Sequence, residues 1–164
     1  MHSETRLPVC FFAMALLAAT AGAQLKTTPL TGTWRVTGIK TTGPNARTMS
    51  SPQPGLLIFT GNHYSRMFVN SDQPRTALQD QSKATAAELL AVWGPFTAAS
   101  GAYEISGSTF TVHAFVAKNP QNMAPGAEQT FSFKLAGNTL TITEVRNAAG
   151  PAANPATITY TRIE

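Results

Sequence analysis

Cysteine is nearly missing from this chain. The one present, Cys10, lies inside an apolar N-terminal stretch, so the folded domain is expected to have no disulfide, no thiol nucleophile and no lipid-attachment cysteine. Charge is scarce too: 12 Lys and Arg against 8 Asp and Glu give a net charge of +4 over 164 residues. The basic residues from Lys26 to Arg162 stand singly and never form a row able to neutralise successive phosphates, which argues against a nucleic-acid partner. Of the 3 histidines, His2 lies in the N-terminal stretch, and His63 and His113 alone are too few for a zinc site. Neither a Gly-x-Ser-x-Gly elbow nor a phosphate-binding loop occurs, so no hydrolase motif is present and no cofactor is implied. Long hydrophobic runs are absent as well. The stretch Leu7 to Ala19 contains Pro8 and falls short of the roughly 20 apolar residues that a membrane helix needs.

That stretch reads as a targeting segment. A polar start ending in Arg6 precedes it and the small residues Ala21-Gly22-Ala23 follow, the arrangement of a signal peptide cleaved after Ala23. The expected division is residues 1–23 as signal peptide and 24–164 as one domain, beginning at Gln24, periplasmic or secreted, without an integral membrane span. Removing Glu4 and Arg6 takes one charge of each sign, so the net charge stays at +4. The remaining length suits a single core that needs no metal or disulfide staple.

From Thr33 onward, β-branched and aromatic runs alternate with Gly, Pro, Asn and Ser, the pattern of an all-β domain. Eight such runs occur: Thr33 to Ile39, Gly55 to Thr60, His63 to Val69, Gly101 to Ser106, Thr109 to Ala117, Glu128 to Leu135, Thr139 to Val145 and Ala156 to Ile163. Eight antiparallel strands can close into a barrel with room for one small ligand. Gly61-Asn62, Gly107-Ser108 and Gly137-Asn138 are expected as tight two-residue hairpin loops. Thr85 with Glu88 three residues on forms a capping box, and Leu89, Leu90 and Trp93 make an apolar stripe that Gly94-Pro95 ends. This short helix is expected to plug or flank the barrel. The segments Thr41 to Pro54 and Asn147 to Pro155 read as long loops at the barrel mouth.

A two-residue loop fixes which residues face each other, and hence which share a face. The last hairpin places Phe131, Phe133, Leu135, Leu140 and Ile142 inward and carries Gln129, Glu144 and Arg146 inward at its far end, as a polar rim or simply as the barrel's end. On this register Phe133→Ala is expected to cost about 3–5 kcal/mol. Around Gly61-Asn62, the face shared by Leu57, Phe59, Tyr64, Arg66 and Phe68 sets a guanidinium among rings. It can meet a ligand carboxylate or stack on Tyr64 or Phe68. Around Gly107-Ser108, Tyr103, Ile105, Phe110, Val112 and Ala114 share one face, while His113 falls outward with Glu104 and Thr111.

The opening Leu30-Thr31-Gly32-Thr33-Trp34-Arg35-Val36 resembles the Gly-x-Trp start of lipocalin-type barrels, and Gly55 to Thr60 is similar to the second strand of the bacterial lipocalin-like domain family. Ser100-Gly101-Ala102-Tyr103, Val112-His113, Asn119-Pro120, Gly126, Glu128-Gln129 and Leu135 to Leu140 follow in that family's order. Two positions depart. Ala99 stands where the family often has a tyrosine, and Thr130-Phe131 where it has an arginine, which would make this cavity less polar. The resemblance implies an eight-stranded barrel with an internal cavity, and an arginine of the final strand, Arg162, lying over Trp34 and bonding carbonyls near Leu30. A carboxylate clamp of Tyr160 and Arg162 inside the cavity is the rival arrangement.

Three functions compete. The first is an exported module binding a small, partly hydrophobic or amphipathic molecule, with Phe131, Phe133 and Leu140 as lining and Tyr64, Arg66, Tyr103, His113, Gln129 and Tyr160 as candidate polar contacts. The second is an isomerase or cyclase using the same cavity, with His113 or Glu144 exchanging the proton. The third is a periplasmic interaction or inhibitor protein acting through its loops.

Overall fold

Each inward-outward alternation becomes a strand because successive side chains leave the pleat on opposite faces and only one face has a core to meet. The computed structural model describes residues 27–164, and the expected signal peptide lies outside the described residues. Ten strands form: β1 (Gly32–Thr41), β2 (Arg47–Met49), β3 (Gly55–Thr60), β4 (His63–Val69), β5 (Phe96–Ser106), β6 (Thr109–Ala117), β7 (Gln129–Ala136), β8 (Thr139–Asn147), β9 (Gly150–Pro151) and β10 (Ala156–Arg162). Among the described residues one α-helix, α1 (Ala86–Trp93), falls between β4 and β5. Eight strands pair in the order β10-β1-β3-β4-β5-β6-β7-β8, and β8 pairs back onto β10. The barrel is closed, so these strands leave no free edge. Beyond the circuit, β2 adds to β1 and β9 to β8.

All eight expected runs are strands. The fourth starts at Phe96 instead of Gly101, because Thr97-Ala98-Ala99-Ser100 pairs with β4 from Phe68 back to Ser65. Alanines and a serine carry little strand propensity of their own, so tertiary pairing decides that segment. At the three hairpins Gly61, Gly107 and Gly137 have φ of 56°, 59° and 56°. The first central position of a II′ turn demands this positive φ, which glycine adopts without strain.

Because the strands run up and down, these three tight turns share one end of the barrel. The longer connections, including the one that carries α1, share the other. The hairpin end is shut. Trp34 and Leu30 are both 0% exposed there, and the indole Nε1–H donates to the Leu30 carbonyl at 2.8 Å. Arg162 lies over the indole with its Cζ 4.0 Å from the ring centroid, and its Nη1 and Nη2 donate to the Thr31 and Pro29 carbonyls at 2.7 and 3.5 Å. The stack implied by the family resemblance is therefore formed, and the clamp of Tyr160 with Arg162 is not.

Two strand irregularities shape the opposite, loop end. In β6 the register steps from Val116 opposite Ser100 to Ala114 opposite Gly101, leaving Phe115 unpaired and 67% exposed. In β8 it steps from Glu144 opposite Phe131 to Arg146 opposite Thr130, leaving Val145 unpaired. Such a bulge resets the alternation. Glu144, just before the bulge, keeps its expected inward face, whereas Arg146, expected inward from an unbroken register, is exposed on the outside.

The capping box of α1 forms as expected: the Thr85 N–H donates to Glu88 Oε2 at 2.7 Å and the Glu88 N–H donates to Thr85 Oγ1 at 3.3 Å. None of the helix's residues is buried, and Leu90 is 71% exposed. The helix flanks the loop end and does not plug it. Lys118 anchors its far end by donating from Nζ to the carbonyls of Trp93, Gly94 and Phe96.

Candidate functional site

Inside the loop-end half the side chains do not fill the barrel. A cavity of about 120 Å³ remains, walled by Leu57, Phe68, Phe110, Phe131, Ile142 and Ile158, with Val112 and Ala156 completing the apolar lining. Four polar residues reach it: Tyr64 and Arg66 from β4, Glu144 from β8 and Tyr160 from β10. Their convergence follows from the registers. Leu57 pairs with Arg66 and Phe59 with Tyr64, so both polar side chains point the same way as a core leucine and phenylalanine.

Among the described residues Arg66 is the only cation on this wall. Its Cζ lies 5.3 Å from the Phe131 centroid and 5.9 Å from that of Phe68, close to the limit of useful cation–π attraction. Its Nη2 donates to Gln129 Oε1 at 3.5 Å, a long contact. No carboxylate pairs with it among the described residues. Two polar atoms here are buried without a partner among the described residues, the Arg66 Nε and the Tyr64 hydroxyl. Such groups are rare, since leaving one unmade costs about 1–3 kcal/mol.

Burial raises the pKa of both phenols on the wall, and the Arg66 guanidinium partly offsets it in each case. Tyr160 is pushed up to about 12 from an ordinary value of 10.0. Both are neutral hydrogen-bond donors at physiological pH. The unfolded chain releases the Tyr160 proton near its ordinary value while the folded chain holds it, so this stabilisation is complete below pH 10.0 and is lost as pH rises through about 12. The expected loss is on the order of 2–3 kcal/mol between those limits. Urea unfolding across that range measures it, and Tyr160→Phe is expected to flatten the decline; an unchanged decline in that variant would show that other groups cause it.

Of the six candidate contacts, the structure brings Tyr64, Arg66 and Tyr160 to the cavity, with Gln129 behind Arg66. It does not bring Tyr103 or His113 there. Tyr103 lies at the shut end, where its hydroxyl donates to the Gly61 carbonyl at 3.0 Å and bonds the Thr28 hydroxyl at 2.7 Å. His113 is on the outer face, its Nδ1 3.9 Å from Glu128 Oε1. Phe131 lines the cavity as expected, whereas Leu140 is fully buried in the core and Phe133 packs against that core only partly buried. Glu144 was legible as an inward group, but its place in the same cavity as Arg66 follows from closure of the barrel, which no single hairpin reveals.

An antiparallel barrel shut at its hairpin end by a tryptophan–arginine stack, with a small cavity toward its loop end, defines a lipocalin-like barrel. The chain belongs to the lipocalin-like domain family, whose sequence pattern matches residues 31–162. Among solved structures it is similar to an uncharacterized protein from Bacteroides eggerthii DSM 20697, at 10% identity and a TM-score of 0.41 over 81% of this chain and 98% of that one. No curated protein matches. Among the described residues no helix is long and apolar enough to cross a membrane.

Proposed function

We propose that this protein is an exported binding module that holds one small, partly hydrophobic molecule in the cavity of its barrel. The observation that carries this reading is the pair of unpartnered donors, Tyr64 Oη and Arg66 Nε, beside a mostly apolar cavity. Polar groups that the fold leaves unmet are the ones a ligand would meet. Binding is favoured over an isomerase or cyclase because acid–base work needs groups that exchange protons near neutral pH. Tyr160 and Tyr64 are held protonated, and His113 lies outside the barrel, leaving Glu144 alone. Export rests on the signal-type segment ending at Ala23.

Native mass spectrometry of the protein recovered from the periplasm or medium of its host tests both parts. The expected species begins at Gln24 and carries the added mass of one small molecule, which denaturation releases. Retention of residues 1–23 on the recovered protein would overturn export. A species that stays ligand-free after exposure to host extract would overturn binding.

A further inference from the structure

The cavity's size, charge and unmet donors together narrow what it can hold; this narrowing rests on the binding reading above. Its volume, about 120 Å³, is on the scale of an apolar cavity that accepts a single benzene ring, and below the span of drug-sized sites. A long chain or fused-ring ligand does not fit within it. Its wall holds one cation, Arg66, which no acidic group pairs among the described residues. The guanidinium is half-buried among Phe68 and Phe131 with its Nε shut off from solvent, and a charge so placed is stabilised chiefly by an opposite charge with hydrogen bonds. The Arg66 Nε–H can only donate and the Tyr64 hydroxyl can donate beside it, so an acceptor is the group that meets both.

We infer that the ligand is a small monocarboxylic acid with an apolar body of about one ring, whose carboxylate accepts hydrogen bonds from Arg66 Nε–H and the Tyr64 hydroxyl. Two donors and a planar cation match the two oxygens of a carboxylate. The apolar body then lies against Phe131, Ile142 and Ile158, which line the same cavity. Glu144 sets the upper limit on charge. Its carboxylate reaches the same space from β8, so a second anionic group on the ligand is repelled while a single one is neutralised by Arg66.

Isothermal titration of the purified protein with benzoate, terephthalate and benzyl alcohol tests this, in the wild type and in Tyr64→Phe and Arg66→Met. Benzoate is expected to bind at least tenfold more tightly than the neutral alcohol and than the dianion. Tyr64→Phe removes a hydroxyl with no partner in the protein, so it is expected to fold as the wild type does and to weaken benzoate on the order of tenfold. Arg66→Met is expected to weaken it by about a hundredfold or more and to remove most of the preference for benzoate over the alcohol. If the alcohol binds as well as benzoate, or benzoate affinity survives both substitutions, the acid-specific inference fails and the cavity-binding reading stands. If neither benzoate nor the alcohol binds, both fail together.

Discussion

Trp34→Ala is expected to lower stability by about 3–5 kcal/mol, the range for a large aromatic removed from a packed core. Trp34 has no exposed surface, and three dependent contacts go with it. The Leu30 carbonyl loses the indole donor at 2.8 Å and is left buried without it. Arg162 loses the face on which its guanidinium lies at 4.0 Å. Leu30, itself fully buried, loses its cover. Two milder changes grade the effect. Arg162→Lys keeps the charge but loses the planar group that stacks and bonds carbonyls at once, and is expected to cost about 0.5–2 kcal/mol. Gly32→Ala meets a double obstacle: φ is +137°, and a Cβ would strike the Arg162 guanidinium and lie 2.5 Å from the Glu164 carbonyl oxygen. Denaturant midpoints at constant m-value measure the series. Benzoate affinity is expected to survive Arg162→Lys, because the stack and the cavity occupy opposite ends of the barrel. A loss below roughly 1 kcal/mol for Trp34→Ala would mean that the tryptophan does not close that end in solution.

Why these features were legible is a matter of sequence distance. Each hairpin register depends on a few residues around one glycine, so the inward set Leu57, Phe59, Tyr64, Arg66 and Phe68 could be written down from the sequence and is the set observed. Closure of β10 on β1 joins residues more than a hundred positions apart, and only the family resemblance reached it. Bulges escaped both routes. Nothing in Thr143-Glu144-Val145-Arg146 marks Val145 as the extra residue, since its β-branched side chain suits a regular strand; the bulge lies just past the end of the β10 pairing at Thr143, where β8 goes on with β7 and β9. Arg146 therefore went to the wrong face, while Glu144, one residue before the bulge, stayed on the right one. Depth along the barrel was invisible as well. Alternation says which side a residue faces but not how far from an end it sits. That is why Tyr103, correctly inward, tethers the shut end, and why Phe133, also inward, remains partly exposed.

The same distinction between face and depth sets the expected cost of Phe110→Ala at about 3–5 kcal/mol and places it above that of Phe133→Ala, now expected near 1–2 kcal/mol. Phe110 is 4% exposed and stands at the centre of the aromatic cluster. It stacks on Phe131 at a centroid distance of 5.2 Å and meets Phe59 edge-on at 5.5 Å, with Phe133 and Tyr103 farther out at 6.1 and 6.5 Å. Phe133 has only the tilted contact with Phe110 among these rings. Phe110 also forms part of the cavity wall, so its removal does two things at once. Core contacts are lost, and the cavity extends toward the shut end. Urea unfolding of both variants gives the stability order. Titration with 2-naphthoate reads the second effect, because a fused-ring acid too large for the wild-type cavity is expected to bind once Phe110 is an alanine, with Arg66 still available for its carboxylate. If Phe133→Ala proves as costly as Phe110→Ala, Phe133 lies deeper than its partial burial indicates. If 2-naphthoate binds the wild type equally well, Phe110 does not set the floor of the cavity.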